Sequence, residues 1–275
     1  MDKYCVMGNP VEHSKSPWIH ARFAQLTGQD MEYGKRLVAT NTFASTVRAF
    51  RAEGGKGCNI TVPFKFEAAP LATTLTARAE LAGAVNTLRF DGDDVFADNT
   101  DGIGLVADLT RNAGIKLARV DVLLIGAGGA AAGVLGPLIE ARPRSIVVAN
   151  RTQAKAGVLI ERHAELAAMH NVRLAAPELH EVRDGFEVVI NATASSLAGE
   201  AVPVSPEVLM RGTLACDLMY GPAAQGFMDW ASQHGAIARD GLGMLVEQAA
   251  EAFAVWRGVR PPSAQVLAEL RAALA

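Results

Sequence analysis

The sequence has little cysteine, no excess of basic residues and no long apolar opening, and each shortage removes a class of protein. Three cysteines in 275 residues, Cys5, Cys58 and Cys216, lie too far apart for a disulfide framework or a zinc site. Each is expected to fill a core strand, which fits a reducing cytoplasm. A formal net charge of −3 offers no field for nucleic acid or an anionic membrane surface. The first residues carry charge and then a short strand pattern, so no signal peptide is expected. His13 and His20 have no metal-ligating partners at useful spacing. No metal site is expected, and both read as local hydrogen-bonding groups. Repeats and low-complexity segments are absent as well. What is present is length and apolar content. With 50% of its 275 residues hydrophobic, the chain suits one large or two ordinary domains with sizeable cores.

The most informative run covers residues 122–155. It reads Val122-Leu123-Leu124-Ile125-Gly126-Ala127-Gly128-Gly129-Ala130-Ala131-Ala132-Gly133, continues as a helix, and returns as Ser145-Ile146-Val147-Val148-Ala149-Asn150-Arg151-Thr152. An apolar strand ends in a glycine loop, the loop opens a helix, and a second strand follows. Gly126 and Gly128 allow a tight turn and close approach to a pyrophosphate. The helix start behind them offers unpaired N–H groups and a positive dipole end. Gly133 would let helix and strand pack closely. The spacing departs from strict Gly-x-Gly-x-x-Gly because position 131 is Ala. The loop alone is therefore a weak signal, and the strand–loop–helix–strand context carries it. Residues 122–139 are also eighteen uncharged positions, long enough for a membrane span. Five glycines and Pro137 among them favour strand, loop and helix instead.

At the end of the second strand, NAD sites usually carry Asp or Glu for the ribose 2′-hydroxyl. No acid stands here. The residues are Asn150, Arg151, Thr152 and, one turn later, Lys155. An acid would repel a 2′-phosphate, whereas Arg151 and Lys155 would attract it. These residues point to NADP(H), against the plainer reading that both are ordinary solvated charges.

Strands alternate with helices along the chain, which implies an α/β fold with a mostly parallel sheet. Strands are expected at 3–7, 33–39 and 57–62, followed by a hairpin of 85–90 and 95–98 across Asp91-Gly92. Ser16 is expected to cap a helix running to about residue 26, with Pro17 in its first turn. Further helices are expected at 42–51, 64–69, 76–82 and 101–112, the first of them stopped by Gly54-Gly55. Strands near 121–125, 145–149, 172–175, 187–190, 213–217 and 236–239 would make a six-stranded doubly wound domain. Helices at 243–256 and 263–274 close the chain.

The other polar clusters fall mostly in the first domain, at expected strand ends. They are Ser14-Lys15-Ser16, Asn59-Ile60-Thr61-Val62-Pro63-Phe64-Lys65, Asn86-Thr87 and Asn99-Thr100-Asp101. In open α/β sheets the carboxyl ends of strands face the ligand crevice, so these clusters would converge there. Dehydrogenation of an alcohol needs a group that trades the hydroxyl proton while a nicotinamide trades the hydride. Lys65 and Asp101 are available for it. Buried side by side, the carboxylate would hold the ammonium and favour its charged form, with desolvation opposing. Plainer readings stand beside each residue. Ser16 can be a cap, Thr61 a β-former, Lys65 a solvated lysine and Asp101 an N-cap. Asn86 and Asn99 can satisfy backbone groups at turns.

These residues resemble the shikimate dehydrogenase family over nearly the whole chain. The resemblance is carried by Gly8-Asn9-Pro10-Val11-Glu12-His13-Ser14-Lys15-Ser16-Pro17, by the segment from Asn59 to Lys65, by Gly83-Ala84-Val85-Asn86-Thr87 and by Asp98-Asn99-Thr100-Asp101-Gly102. The glycine loop, Asn150-Arg151-Thr152, Asn191-Ala192-Thr193 and the run from Asp240 to Ala250 add to it. It implies two open α/β domains. One is a discontinuous N-terminal substrate domain, residues 1–103 and 241–275, and the other a Rossmann-like NADP-binding domain, residues 104–240. The activity implied is reversible, NADPH-dependent reduction of 3-dehydroshikimate to shikimate, in the pathway to the aromatic amino acids. Ser14 and Ser16 would bind the substrate carboxylate. Asn59, Thr61, Asn86, Asp101, Tyr220 and Gln248 would complete the substrate site, mostly around the ring hydroxyls. Lys65 would transfer the proton, paired with Asp101, and whether Asp101 shares that work stays open. Gly126, Ala127, Gly128, Gly129 and Ala130 would take the pyrophosphate. Asn150, Arg151, Thr152 and Lys155 would take the 2′-phosphate. Thr193, Leu218 and Gly241 would border the nicotinamide.

The chain departs from the family pattern at Ala194, Ser196, Gln225 and Ala21, none of which removes a proposed catalytic group. The expected partner is a small-molecule substrate, without nucleic acid or membrane, and a homodimer is the candidate assembly. Two other functions compete. One is a quinate/shikimate dehydrogenase using NAD, against which Arg151 and Lys155 speak. The other is a homologue that binds NADP or substrate without turnover, against which Lys65 and Asp101 speak.

Overall fold

The computed structural model describes residues 1–193 and 201–274; Ala194 and Ser196 lie outside the described residues. The chain divides into two compact units, Met1–Leu105 with Leu245–Ala275, and Val106–Met244. The chain begins with β1 (Asp2–Gly8), α1 (Ser16–Thr27), β2 (Met31–Leu37), α2 (Phe43–Ala52), β3 (Gly55–Ile60), α3 (Lys65–Ala68), β4 (Thr74–Leu75), α4 (Ala77–Ala82), β5 (Thr87–Asp91), β6 (Asp94–Asp98) and α5 (Asp101–Ala107). It continues with β7 (Asp121–Ile125), α6 (Gly129–Glu140), β8 (Ser145–Ala149), α7 (Gln153–Arg162), α8 (Ala164–His170), β9 (Arg173–Ala175), β10 (Phe186–Asn191), β11 (Leu209–Asp217), α9 (Gln225–Gln233) and β12 (Ile237–Arg239). It closes with α10 (Leu242–Arg257) and α11 (Ser263–Leu274).

The first unit's sheet runs β2-β1-β3-β5-β6-β4. Strands β1, β2 and β3 are parallel, as is the β4–β6 pair, and the expected β5–β6 hairpin joins β3 antiparallel, so this sheet is mixed. The consequence is functional. Antiparallel entry brings the start of β5 to the edge where β1, β3 and β6 end, and the register sets Asn59, Thr87 and Asp98 in one row. The sheet packs on a core that includes Met7, Phe43, Ile60, Phe64 and Leu88, with the Phe43 and Phe64 rings stacked. The short β4, two residues beside β6, has no expectation behind it.

The second unit's sheet runs β12-β11-β10-β7-β8-β9, with every pairing parallel. Its order reverses between β7 and β10, which is where such sheets open a crevice beyond their carboxyl ends. The apolar run at 122–139 is split between β7 and α6, and among the described residues no helix is long and apolar enough to cross a membrane.

Three local expectations need correction. Ser16 does not cap α1: it is the first helical residue, and the Ser14 hydroxyl oxygen accepts its backbone N–H at 3.2 Å. The helix expected over 101–112 is α-helical only to Ala107, and Asp108–Asn112 form a π-helical turn. The wider turn carries the fully buried Asp108 carboxylate, which takes the Arg239 guanidinium at 2.7 and 2.5 Å. Finally, His20 is not a hydrogen-bonding group. It lies on the buried face of α1 with Ile19, Phe23 and Ala24, and neither ring nitrogen makes a hydrogen bond. Its ring stacks on Tyr33, with centroids 4.2 Å apart, among Phe23, Phe253 and Trp256.

Burial lowers the His20 pKa to about 3, against a weaker opposing contribution from the Asn59 amide. The sign follows from proton uptake. Between an unfolded pKa near 6.5 and a folded pKa of about 3, the unfolded chain binds the extra proton. The stability associated with this residue is therefore complete above pH 6.5 and declines as pH falls toward 3, by at most about 1.4 kcal/mol per pH unit. Urea unfolding of the wild type and His20→Phe between pH 7 and 4 should show a shallower acid loss in the variant. Parallel curves would remove His20 from the account.

Candidate active site

Four segments of the first unit meet at the carboxyl edge of its sheet. Lys65 begins α3 just beyond β3, and Asp101 begins α5 just beyond β6. The Lys65 Nζ donates to Asp101 Oδ2 at 2.5 Å, with the two side chains 14% and 6% exposed. An ion pair this buried loses hydration on both partners, so it needs further hydrogen bonds to hold. Asn86 supplies one: its Nδ2 reaches Asp101 Oδ1 and Thr100 Oγ1 at 2.9 Å and Gln248 Oε1 at 3.2 Å. The Asn86 Oδ1 in turn accepts the Thr100 N–H and the Thr87 hydroxyl, both at 2.9 Å. Asn86 is thus the hub of the cluster rather than a turn residue serving its neighbours. Asn99 fits that plainer role. Its amide bonds Ala84 O and the Asp101 N–H. Nearby, the buried Asp98 holds the end of β6 through Arg78 at 2.8 and 2.5 Å and Thr76 at 2.6 Å.

Gln248 reaches this cluster because α10 comes close to α5 at Gly104. A Cβ added at Gly104 would stand 2.6 Å from both Gln248 N and Gln248 Cβ. Gly104→Ala should therefore lower stability by about 1–3 kcal/mol, the usual scale for overpacking. Chemical denaturation checks this, and an unchanged midpoint would show that the helices separate at no cost.

The other expected substrate residues are placed less directly. Asn59 Nδ2 donates to Asn86 O and Thr87 Oγ1, each at 3.1 Å. Thr61 lies against Gly8, where a Cβ would fall 2.3 Å from Thr61 Cγ2. Ser14 is tied to Ser16 through the backbone bond already described. Tyr220 belongs to the second unit and precedes a short 3₁₀ turn. Sequence reasoning passed over Tyr33, whose hydroxyl donates to Asn59 Oδ1 at 2.7 Å. As a tyrosine in an ordinary edge strand, it gave no signal.

In the second unit the glycine loop leaves β7 at the switch point. Gly126 has φ +114, and a Cβ there would approach Ala192 C and O at 3.1 Å, so the loop passes tightly beside the end of β10. Gly128, the N-cap of α6, has no side chain to cap the helix, and a Cβ there would meet nothing within 4 Å. Residues 126–130 thus combine an open backbone face with the uncapped start of a buried helix, which suits a pyrophosphate. Beyond β8, Arg151 and Lys155 are exposed, and Asn150 Nδ2 is turned onto Thr152 O at 2.8 Å. Thr193 is held by Asn191, whose Oδ1 accepts its hydroxyl at 2.7 Å. Leu218 N–H donates to Asn191 O at 3.0 Å and Gly241 N–H to Met219 O at 2.7 Å. Asn191 also donates to the fully buried Asp217 at 3.0 Å, so this asparagine orders both strand ends. The cysteines take no part. All three are buried and free, and burial pushes the Cys5 thiol up to about 12. Among the described residues there is no group of His, Cys, Asp and Glu fit to hold a metal.

A doubly wound sheet with an uncapped helix start at its switch point, together with a buried lysine–carboxylate pair at a second sheet edge, defines a dinucleotide-dependent oxidoreductase. The family follows from comparison. The models "Shikimate dehydrogenase substrate binding domain", "Shikimate / quinate 5-dehydrogenase" and "Shikimate 5'-dehydrogenase C-terminal domain" match residues 6–88, 108–199 and 241–271. A shikimate dehydrogenase (NADP(+)) of Acidovorax sp. (strain JS42) is 65% identical over 274 residues, covering 100% of this chain and 97% of the relative. Among solved structures, an Ael1 enzyme from Pseudomonas putida is 44% identical, with TM-score 0.88 and 98% of each chain covered. The shikimate 5-dehydrogenase of Thermus thermophilus, in complex with NADP(H) and shikimate, is 30% identical, with TM-score 0.85 and 100% of each chain covered. The chain belongs to the shikimate dehydrogenase family.

Proposed function

We infer that the chain catalyses the reversible NADPH-dependent reduction of 3-dehydroshikimate to shikimate. The observation that carries this reading is the buried Lys65–Asp101 pair, built into the hydrogen-bonded cluster of Asn86, Thr100 and Gln248. When bound, NADPH supplies the hydride for the substrate carbonyl carbon. The carbonyl oxygen must then gain a proton, and the Lys65 ammonium gives it. In the reverse direction the Lys65 amine takes the hydroxyl proton. Both Asp101 oxygens accept hydrogen bonds, one from Lys65 and one from Asn86, so the carboxylate holds the ammonium in place for the transfer. One ammonium N–H goes to Asp101, which leaves the others to reach a substrate oxygen.

Around that centre, Asn59, Thr61, Asn86, Asp101, Tyr220 and Gln248 bind the ring hydroxyls. Ser14 and Ser16 donate their hydroxyls to the carboxylate. Ser14 accepts a backbone N–H through its oxygen, so its own proton remains available. Residues 126–130 hold the pyrophosphate, and Asn150, Arg151, Thr152 and Lys155 hold the 2′-phosphate. Thr193, Leu218 and Gly241 border the nicotinamide. Residues 1–103 with 241–275 act as the substrate domain and 104–240 as the NADP domain, a division supported by the chain's two compact units. Three free buried thiols support a cytoplasmic location. The test is direct. Purified protein should reduce NADP+ only when shikimate is present, and silence from neutral to alkaline pH would favour a binding protein without turnover.

A further inference from the structure

Tyr33 has no part in the site as described so far, yet its hydroxyl holds the one acceptor atom that Asn59 has left for a ligand. The backbone carbonyl of Asn86 can only accept, so the Asn59 atom facing it must be the amide nitrogen. The Thr87 hydroxyl gives its proton to Asn86 Oδ1 and therefore also accepts from Asn59. Both Asn59 N–H groups are consumed in this way. The remaining atom, Oδ1, takes the Tyr33 hydroxyl proton at 2.7 Å and keeps one lone pair. A ligand can meet Asn59 only as a donor.

The Tyr33 ring is itself held. It stacks on the buried His20 ring at an interplanar angle of 11°, and Trp256 packs at 6.1 Å. We propose that Tyr33 is a positioning residue that aims the Asn59 Oδ1 lone pair at one ring hydroxyl of the substrate, a contact that Asn86 and Thr87, by taking both N–H groups, leave acceptor-only. The proposal rests on the shikimate reading above. Burial raises the Tyr33 phenol well above its ordinary value, aided by Cys5 and Cys58 and opposed by Ser16, so the hydroxyl keeps its proton at any working pH.

Tyr33→Phe keeps the ring and its stack while removing the hydroxyl. Calorimetric Kd and KM for shikimate should rise about 3–10-fold, the scale of one hydrogen bond. The kcat should stay within about twofold, and the Kd for NADP+ should not move. Single-deoxy analogues of shikimate give the sharper readout. The penalty of Tyr33→Phe should vanish for the analogue lacking the hydroxyl that Asn59 accepts, and persist for the others. Unchanged shikimate affinity, or an equal penalty for every analogue, would overturn the role. Each comparison is made within one variant, so lost stability cannot imitate the pattern. A wild type without shikimate-dependent NADP+ reduction contradicts the proposed function. An active wild type with an indifferent Tyr33→Phe contradicts only this inference.

Discussion

Lys65→Ala should lower kcat for shikimate oxidation by about 10²–10⁴-fold, the usual contribution of a positioned general acid–base. The KM for shikimate should change far less. The reason lies in how the lysine is held. Its ammonium is bound to Asp101 at 2.5 Å, and the carboxylate is anchored on its other oxygen by Asn86. Removing the ammonium leaves Asn86 and Gln248 bonded to each other, so the proposed seat for the ring should largely survive while the proposed proton carrier is lost. The Asp101 carboxylate then stays buried with one partner fewer, so some stability is lost as well. Thermal unfolding of the variant separates that loss from turnover. A large loss of shikimate affinity with unchanged kcat would reassign Lys65 to binding.

Arg151→Ala carries the second large effect. Between the end of β8 and Lys155 there is no acid, and Arg151 and Lys155 are exposed there. A guanidinium bound to a 2′-phosphate makes a charge-assisted contact, whose loss corresponds to about 10–100-fold in affinity. The KM for NADP+ should rise by that amount. The KM for NAD+, which has no such phosphate, should move by less than about threefold. Lys155 keeps part of the field, so the double variant should weaken the preference for NADP+ further. Equal losses for the two cofactors would refute the 2′-phosphate role.

The second unit was the more legible in the sequence. Strands β7 and β8 are short apolar runs bounded by glycine or charge, and their positions emerge from pattern alone at 121–125 and 145–149. The first unit hid more. Its hairpin was visible, but pattern does not say that the hairpin enters antiparallel and so swings Asn86 to the edge where Asn59 and Asp98 stand. A turn role for Asn86 therefore stood beside the substrate role that the resemblance implied. His20 looked like a hydrogen-bonding group because the rings around it come from positions 33, 253 and 256, far away in sequence. Tyr33 was silent for a related reason: its importance lies in a single bond to Asn59 across neighbouring structure, which no local spacing encodes. The roles expected of Lys65 and Asp101 came from the proton that an alcohol dehydrogenation must trade and from family resemblance. What the structure adds is that the two residues touch and share one buried network.

The most direct test of the whole account is a set of initial rates for the wild type with shikimate and with quinate, each against NADP+ and NAD+. The account predicts the highest kcat/KM for shikimate with NADP+, with both substitutions costly. A preference for quinate with NAD+ would contradict it.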